Sequence, residues 1–309
     1  MSKISSILLG TNGDGNHTRV FTGIDKIDRS TGGFRGGNTY LLAGLEKSGK
    51  TSLLLNWVSY NLDQGKKITM VSTEMSLEEV VTRLASIRGL KITFDDSPER
   101  KKLNRQLEEN FNFIPVDDLM VGGEGISVRQ TAALVEKSIW EGSELVVVDN
   151  LSTFQSQTSD TQPAWQKVAA AITRMVNLAK VSDIPIIIVL HIKPSITFRD
   201  TPEGLASIAK SDDPLKIFEE SLTIIKKPSL SDVYGGGVAL SQLSGAILLW
   251  RPYQKFSNSK FSSEGMIILD SMRHSQSGVE VRVLYDGETG KFSEKVLDSE
   301  IVEMFTKKD

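Results

Sequence analysis

The sequence predicts an α/β fold, a mainly parallel sheet flanked by helices and ending in antiparallel strands. Three observations predict it. Between Asn38 and His191, short apolar runs alternate with runs whose apolar residues recur at helical spacing. The short runs are nearly continuous in apolar residues, as strands buried on both faces require. After Val238 the pattern changes to strand-like segments separated by Gly-containing turns.

The elements follow in chain order. Residues 1–20 are polar, with Gly and Asn, and read as a flexible or partner-docking arm. "NTYLLAG" (38–44) is a strand that leads through a loop into the helix "TSLLLNWVSYNL" (51–62). "KKITMVSTE" (66–74) is a buried strand, and "MSLEEVVTRLASIRGL" (75–90) is an amphipathic helix with Ser76 as its cap. "FNFIPV" (111–116) is a short strand, "SVRQTAALVEKSIW" (127–140) a helix and "SELVVVDN" (143–150) a buried strand. "WQKVAAAITRMVNLAKVS" (165–182) is a helix and "IPIIIVLH" (184–191) a strand. "GAILLWR" (245–251), "GMIILDSMR" (265–273), "GVEVRVLYD" (278–286) and "KFSEKV" (291–296) read as an antiparallel extension. The connection from Lys193 to Val238 interrupts the pattern, and a connection that long is functional or disordered. Residues 299–309 form a tail.

Composition narrows the function. The 309 residues are 39% hydrophobic and 24% charged, as in a globular chain. There is no cysteine, which excludes zinc-finger ligand sets, disulfides and thiol catalysis and fits a reducing interior. With a net charge of −3, any nucleic-acid surface must concentrate its positive charge locally. No apolar run approaches the ~20 residues of a membrane span, so a membrane is not an expected partner. The apolar run at Ile7-Leu8-Leu9 is too short for a secretory signal.

The sharpest motif is Gly44-Leu45-Glu46-Lys47-Ser48-Gly49-Lys50-Thr51, between a strand and a helix. Small residues and exposed amides there wrap phosphates, and the helix N-terminus favours anions. Gly44, Lys47, Ser48, Gly49, Lys50, Thr51 and Ser52 are the expected nucleotide contacts. Lys50 would reach the β- and γ-phosphates, and Thr51 would offer its hydroxyl to Mg²⁺. ATP, or another nucleoside triphosphate, with Mg²⁺ is the implied ligand. Asp149 ends the apolar strand Leu145-Val146-Val147-Val148, where phosphate-bound Mg²⁺ sits in such folds. Glu74 ends another strand. Its position suits a base that activates water and equally an acid at a helix start. His191 ends a third strand and reads as a contact to the γ-phosphate or as an ordinary strand-end histidine. Arg273 is a solvated strand-end charge or, in a ring, an arginine finger reaching a neighbour's nucleotide.

The ordered set "FTGIDKIDRSTGGFRGGNTYLLAGLEKSGKT", "VSTEMS", "LVVVDNLST", "IVLHIKP", "GGGVALSQLSGAILLWR" and "SMRHSQSGVEVRVLYDGETGKF" resembles the motor domain of RecA-like hexameric replicative helicases, the DnaB superfamily. It is most similar to the branch of phage primase–helicases and the mitochondrial replicative helicase. The resemblance covers roughly residues 20–293. It implies a RecA-like P-loop NTPase fold over 21–298 and a 5′–3′ DNA helicase activity. It makes Glu74 the water-activating carboxylate, Asp149 the Mg²⁺ support, His191 the phosphate sensor and Arg273 the finger in trans. Gln242 would link nucleotide state to the DNA-facing loop, and Arg251 and Tyr285 would sandwich the base. Lys193 and the run Gly235-Gly236-Gly237, within a DNA-facing region 193–238, would meet single-stranded DNA.

The implied partners are further copies of the chain, in a hexamer, and a separate primase or loader. The implied place is the cytoplasm or a viral replication compartment. Two departures stand out. Ser271 occupies the place of a lysine in the Lys-x-Arg pair of bacterial members, and the glycine run is one residue longer. Residues 1–20 stand where relatives carry a further domain and linker helix, so the expectation is the motor domain only. The same opening segment also resembles recombinase and clock-type ATPases. That leaves a filament-forming recombinase, or an accessory regulatory ATPase that does not translocate, as rival readings.

Overall fold

Alternate residues of the central strands feed two separate apolar layers. Leu41, Ala43, Val146, Val148, Ile186, Ile188 and Leu190 enter one core. Tyr40, Leu42, Leu145, Val147, Ile187 and Val189 enter the other. A strand with both faces buried must be apolar throughout, which is why these runs show no alternation. The computed structural model describes residues 18–90, 96–116, 128–151, 164–192, 227–233, 239–251, 253–254 and 260–295.

In chain order the elements are β1 (Arg19–Val20), α1 (Asp25–Thr31), β2 (Phe34–Arg35), β3 (Thr39–Gly44), α2 (Lys50–Asp63), β4 (Ile68–Ser72) and α3 (Leu77–Ile87). There follow α4 (Pro98–Asn110), β5 (Phe111–Pro115), α5 (Val128–Trp140), β6 (Leu145–Asp149), α6 (Ala164–Ser182) and β7 (Ile186–His191). The last part holds β8 (Gly245–Trp250), β9 (Tyr253–Gln254), β10 (Lys260–Phe261), β11 (Glu264–Met272), β12 (Val279–Tyr285) and β13 (Phe292–Glu294). Nine strands form one sheet in the order β13-β12-β11-β8-β3-β7-β6-β4-β5. Helices α5 and α6 cover one face through Ala132, Val135, Ile172 and Met175. Helices α2 and α3 cover the other through Leu53, Trp57, Val80 and Leu84.

The expected parallel sheet with antiparallel C-terminal strands is present, with one correction. β8 pairs parallel to β3 and antiparallel to β11, so the antiparallel portion begins one strand later than expected. The connection between His191 and Gly245 is long enough for a crossover, and a crossover returns the chain in the parallel sense. Two helices escaped the periodicity. α4 buries only Leu103 and therefore shows no apolar stripe, although Ser97 caps it and Pro98 opens it. α1 is only seven residues long and buries Ile27 and Thr31. Val20 is 1% exposed and pairs with Phe34, so the folded unit starts inside the stretch read as an arm. Residues 1–17, 296–309 and most of the 193–238 connection lie outside the described residues.

Candidate active site

The strand order places the ends of β3, β7, β6 and β4 side by side, and the predicted side chains leave from those ends. His191 is opposite Gly44, and Asp149 is opposite Ser72, two residues before Glu74. The loop after β3 depends on backbone freedom. A Cβ on Gly44 would lie 2.9 Å from Leu249 O and from Ser48 Oγ, so only glycine fits. Lys47 (φ 60°) and Gly49 (φ 99°) are left-handed, which turns neighbouring N–H groups toward one concave side and suits an anion. The Ser48 hydroxyl is buried in this loop and, among the described residues, has no hydrogen-bond partner. Ser52 is buried in the first turn of α2.

Lys50 is 5% exposed; its Nζ donates to Leu45 O at 2.7 Å and stands 3.0 Å from His191 Nδ1. Burial brings its pKa from 10.5 down to about 8, against the opposing pull of Asp149, Glu74 and Glu46. Thr51 Oγ1 donates to Asp149 Oδ2 at 2.7 Å. Burial pushes the Asp149 carboxyl up, while the Thr51 hydrogen bond works to keep it ionised. Glu74 is held below the usual carboxylate range, first by its interaction with His191 and then by the Asn150 amide. Asn150 Nδ2 donates to Glu74 Oε1 at 2.7 Å and is also 2.7 Å from His191 Nε2. A neutral imidazole has one acceptor nitrogen, so the ring accepts from Lys50 or from Asn150 and not from both.

Asn150 was not among the expected site residues. It is 1% exposed and joins the carboxylate that follows β4 to the histidine of β7. Its signal in the sequence was a second polar residue directly after Asp149 at the end of an apolar strand.

Arg251 and Tyr285 also reach this edge, at the ends of β8 and β12. The Arg251 guanidinium lies 4.1 Å from the Tyr285 ring centroid. The two are in direct contact, so the expected base sandwich requires them to part. Gln242 and Arg273 are elsewhere. Ser244 N donates to Thr39 O and Arg273 N donates to Ser244 O, which puts both residues at the start of β3, not at its phosphate-loop end. The six residues of β3 separate the two ends by about 17 Å. Gln242 is thus not a contact of this chain's own phosphate loop. The Arg273 guanidinium donates to Ser241 O, in the 3-10 turn Leu240–Gln242. Lys193, Gly235, Gly236 and Gly237 lie outside the described residues.

The residues present fit a magnesium nucleotide. Among the described residues no group of three or more His, Asp or Glu could hold a metal alone. A hydroxyl and a single carboxylate are the set that Mg²⁺ accepts when phosphate oxygens complete its shell.

Similarity to known proteins agrees with this geometry. The chain is 21% identical over 294 residues to the replicative DNA helicase DnaB of Geobacillus stearothermophilus, covering 91% of the chain and 58% of that protein. The chain thus spans a little over half the length of this curated relative. Among solved structures, the ATPase domain of a phage helicase superposes with a TM-score of 0.67 at 19% identity, over 95% of this chain and 97% of that one. A DnaB-like replicative helicase, solved in a study of its interactions with primase, also gives 0.67 at 19% identity, over 94% of this chain and 66% of that one. These likenesses show a RecA-like fold. The DnaB-like helicase C terminal domain family matches residues 19–211, which include the phosphate loop, Glu74, Asp149 and His191. The chain belongs to the DnaB-like helicase C-terminal domain family.

Proposed function

We propose that this chain is an ATP-hydrolysing motor of the replicative-helicase type, acting on single-stranded DNA as a ring with its nucleotide sites between subunits. The observation that carries the reading is the convergence of Lys50, Thr51, Glu74, Asp149 and His191 at one sheet edge while Arg273 stands at the other. Family membership favours it over a filament-forming recombinase. Translocation from 5′ to 3′, a separate primase or loader, and a reducing compartment belong to the same proposal and rest on the family resemblance. No helix among the described residues is long and apolar enough to cross a membrane.

Each residue takes one part of the work. Lys50 exchanges Leu45 O for phosphate oxygens, and with a pKa of about 8 it remains largely cationic at pH 7. Thr51 and Asp149 would hold Mg²⁺, which offsets phosphate charge in the transition state. Glu74, ionised at neutral pH, accepts a proton from the attacking water, and Asn150 holds the carboxylate in place. His191, one strand from the loop, exchanges its Lys50 partner when Lys50 turns to phosphate. Arg273 would complete the site of the next subunit. DNA binding of this kind is expected to be salt-dependent and largely indifferent to sequence.

The test is Mg-ATP hydrolysis with and without single-stranded DNA, joined to a mass measurement of the assembly in Mg-ATP. Hydrolysis stimulated by DNA and a closed hexamer are expected. Open filaments on DNA would favour the recombinase reading. Hydrolysis indifferent to DNA would leave only an accessory ATPase.

A further inference from the structure

Arg251 is a buried cation whose hydrogen bonds, among the described residues, all go to backbone. It is 6% exposed, and among the described residues it makes no ion pair. Its Nε and Nη2 donate to Ser262 O at 2.8 and 2.6 Å. Its Nη1 donates to Ser48 O, inside the phosphate loop, at 2.9 Å. Tyr285 covers one face of the guanidinium, and the Phe261 ring centroid is 5.7 Å away. The loop presses back: a Cβ on Gly49 would stand 3.2 Å from Nη1 and 3.3 Å from the Phe292 ring.

A trans peptide is planar, with its carbonyl and its following N–H pointing in opposite directions. Fixing Ser48 O toward Arg251 therefore fixes the Gly49 N–H toward the opposite side of the loop. The left-handed Lys47 and Gly49 make this the kind of turn whose amides gather around an anion. We infer that Arg251 is a positioning residue for the phosphate loop: its guanidinium, clamped on Ser262 and Tyr285, locks the Ser48–Gly49 peptide so that the Gly49 amide faces the phosphates. The inference rests on the reading of this loop as a polyphosphate site. It departs from a role in holding the base, because the contacts of Arg251 go to the loop's backbone and leave no gap at Tyr285.

The two roles separate on a ligand without a base. Calorimetric titration of the full chain with Mg-ATP and with Mg-tripolyphosphate compares wild type, Arg251→Ala, Arg251→Lys and Tyr285→Ala. Arg251→Ala is expected to weaken both ligands equally, by about tenfold or more, the loss of one charge-assisted hydrogen bond and the amide it aims. Arg251→Lys, which keeps one donor for Ser48 O, is expected to lose less, again equally for both ligands. It also stands in should the alanine variant fail to fold. Tyr285→Ala is expected to weaken ATP more than tripolyphosphate. Wild type that binds both ligands, with the Arg251 variants unchanged on tripolyphosphate and weaker on ATP, overturns the inference and restores the base contact. Wild type that binds neither ligand overturns the nucleotide reading and the inference together.

Discussion

The two edges of the sheet are built in opposite ways. At the phosphate-loop edge polar side chains from different elements meet in pairs: Thr51 meets Asp149, Lys50 meets His191, and Glu74 meets Asn150. At the far edge Arg273 is exposed, and among the described residues its guanidinium donates to the carbonyl of Ser241 alone, beside a partly exposed Gln242. The near edge is a set of groups that constrain one another. The far edge presents a cation that its own fold places a full strand length from its own phosphate loop. Such a cation does not reach its own chain's phosphate loop, and the proposed function therefore gives it to the site of a second copy.

Four measurements put this contrast at risk. The largest effect is expected for Arg273→Ala, which should reduce hydrolysis by roughly 10³-fold or more if the arginine acts as a finger. Mixing it with Glu74→Gln should restore activity, since some interfaces then pair an intact Glu74 with an intact Arg273. Full activity of the single variant ends the trans assignment, and a mixture that stays dead argues against sites shared between copies. Next, Glu74→Gln alone should cost about 10²–10⁴-fold in kcat with nucleotide affinity largely kept, as expected for a lost general base. A large loss of affinity with kcat preserved would move Glu74 out of that role.

The third measurement uses the cost of burying Lys50. Its folded pKa of about 8 lies below its ordinary value of 10.5, so between these values the unfolded chain binds more protons. Wild-type stability should therefore rise with pH across that window, the penalty being fully present below about pH 8. Lys50→Met should be more stable than wild type at pH 7 by on the order of 1–3 kcal/mol. Urea unfolding at pH 7 and pH 9.5 tests this; an advantage that does not shrink at the higher pH contradicts the burial account. The smallest effect concerns the helix that follows Glu74. Ser76 accepts from Glu79 N and Glu79 returns the bond to Ser76 N, a complete capping box. Ser76→Ala should lower stability by about 1 kcal/mol, with no change in the far edge.

What the sequence revealed follows the same division. Strands buried on both faces announce themselves, and so do the residues at their ends: Gly44, Glu74, Asp149 and His191 were all placed by where an apolar run stops. The Ser76 cap was legible because the capping box is local. Relations across the sheet were not. Nothing in "GAILLWR" says that β8 lies parallel to β3, because direction is set by the crossover and not by the strand's own residues. The helix α4 stayed hidden because a solvated helix with one buried leucine has no apolar period to read. Asn150 was visible as a residue, while its bridging of two other strands is a product of the strand order. The contact between Arg251 and Tyr285 likewise depends on β8, β11 and β12 lying side by side.

The strand that carries the phosphate loop has a consequence for how the chain is made. β3 leaves the ribosome well before its hydrogen-bonding neighbours β7 and β8: Thr39 pairs with Ile186, and Tyr40 with Gly245. Closing such long loops is slow and entropically costly, and native pairing waits for it. Until Trp250 and Arg251 emerge, β3 lacks one neighbour and the loop lacks the contact at Ser48. A nascent chain therefore completes its phosphate loop only after β8 has emerged.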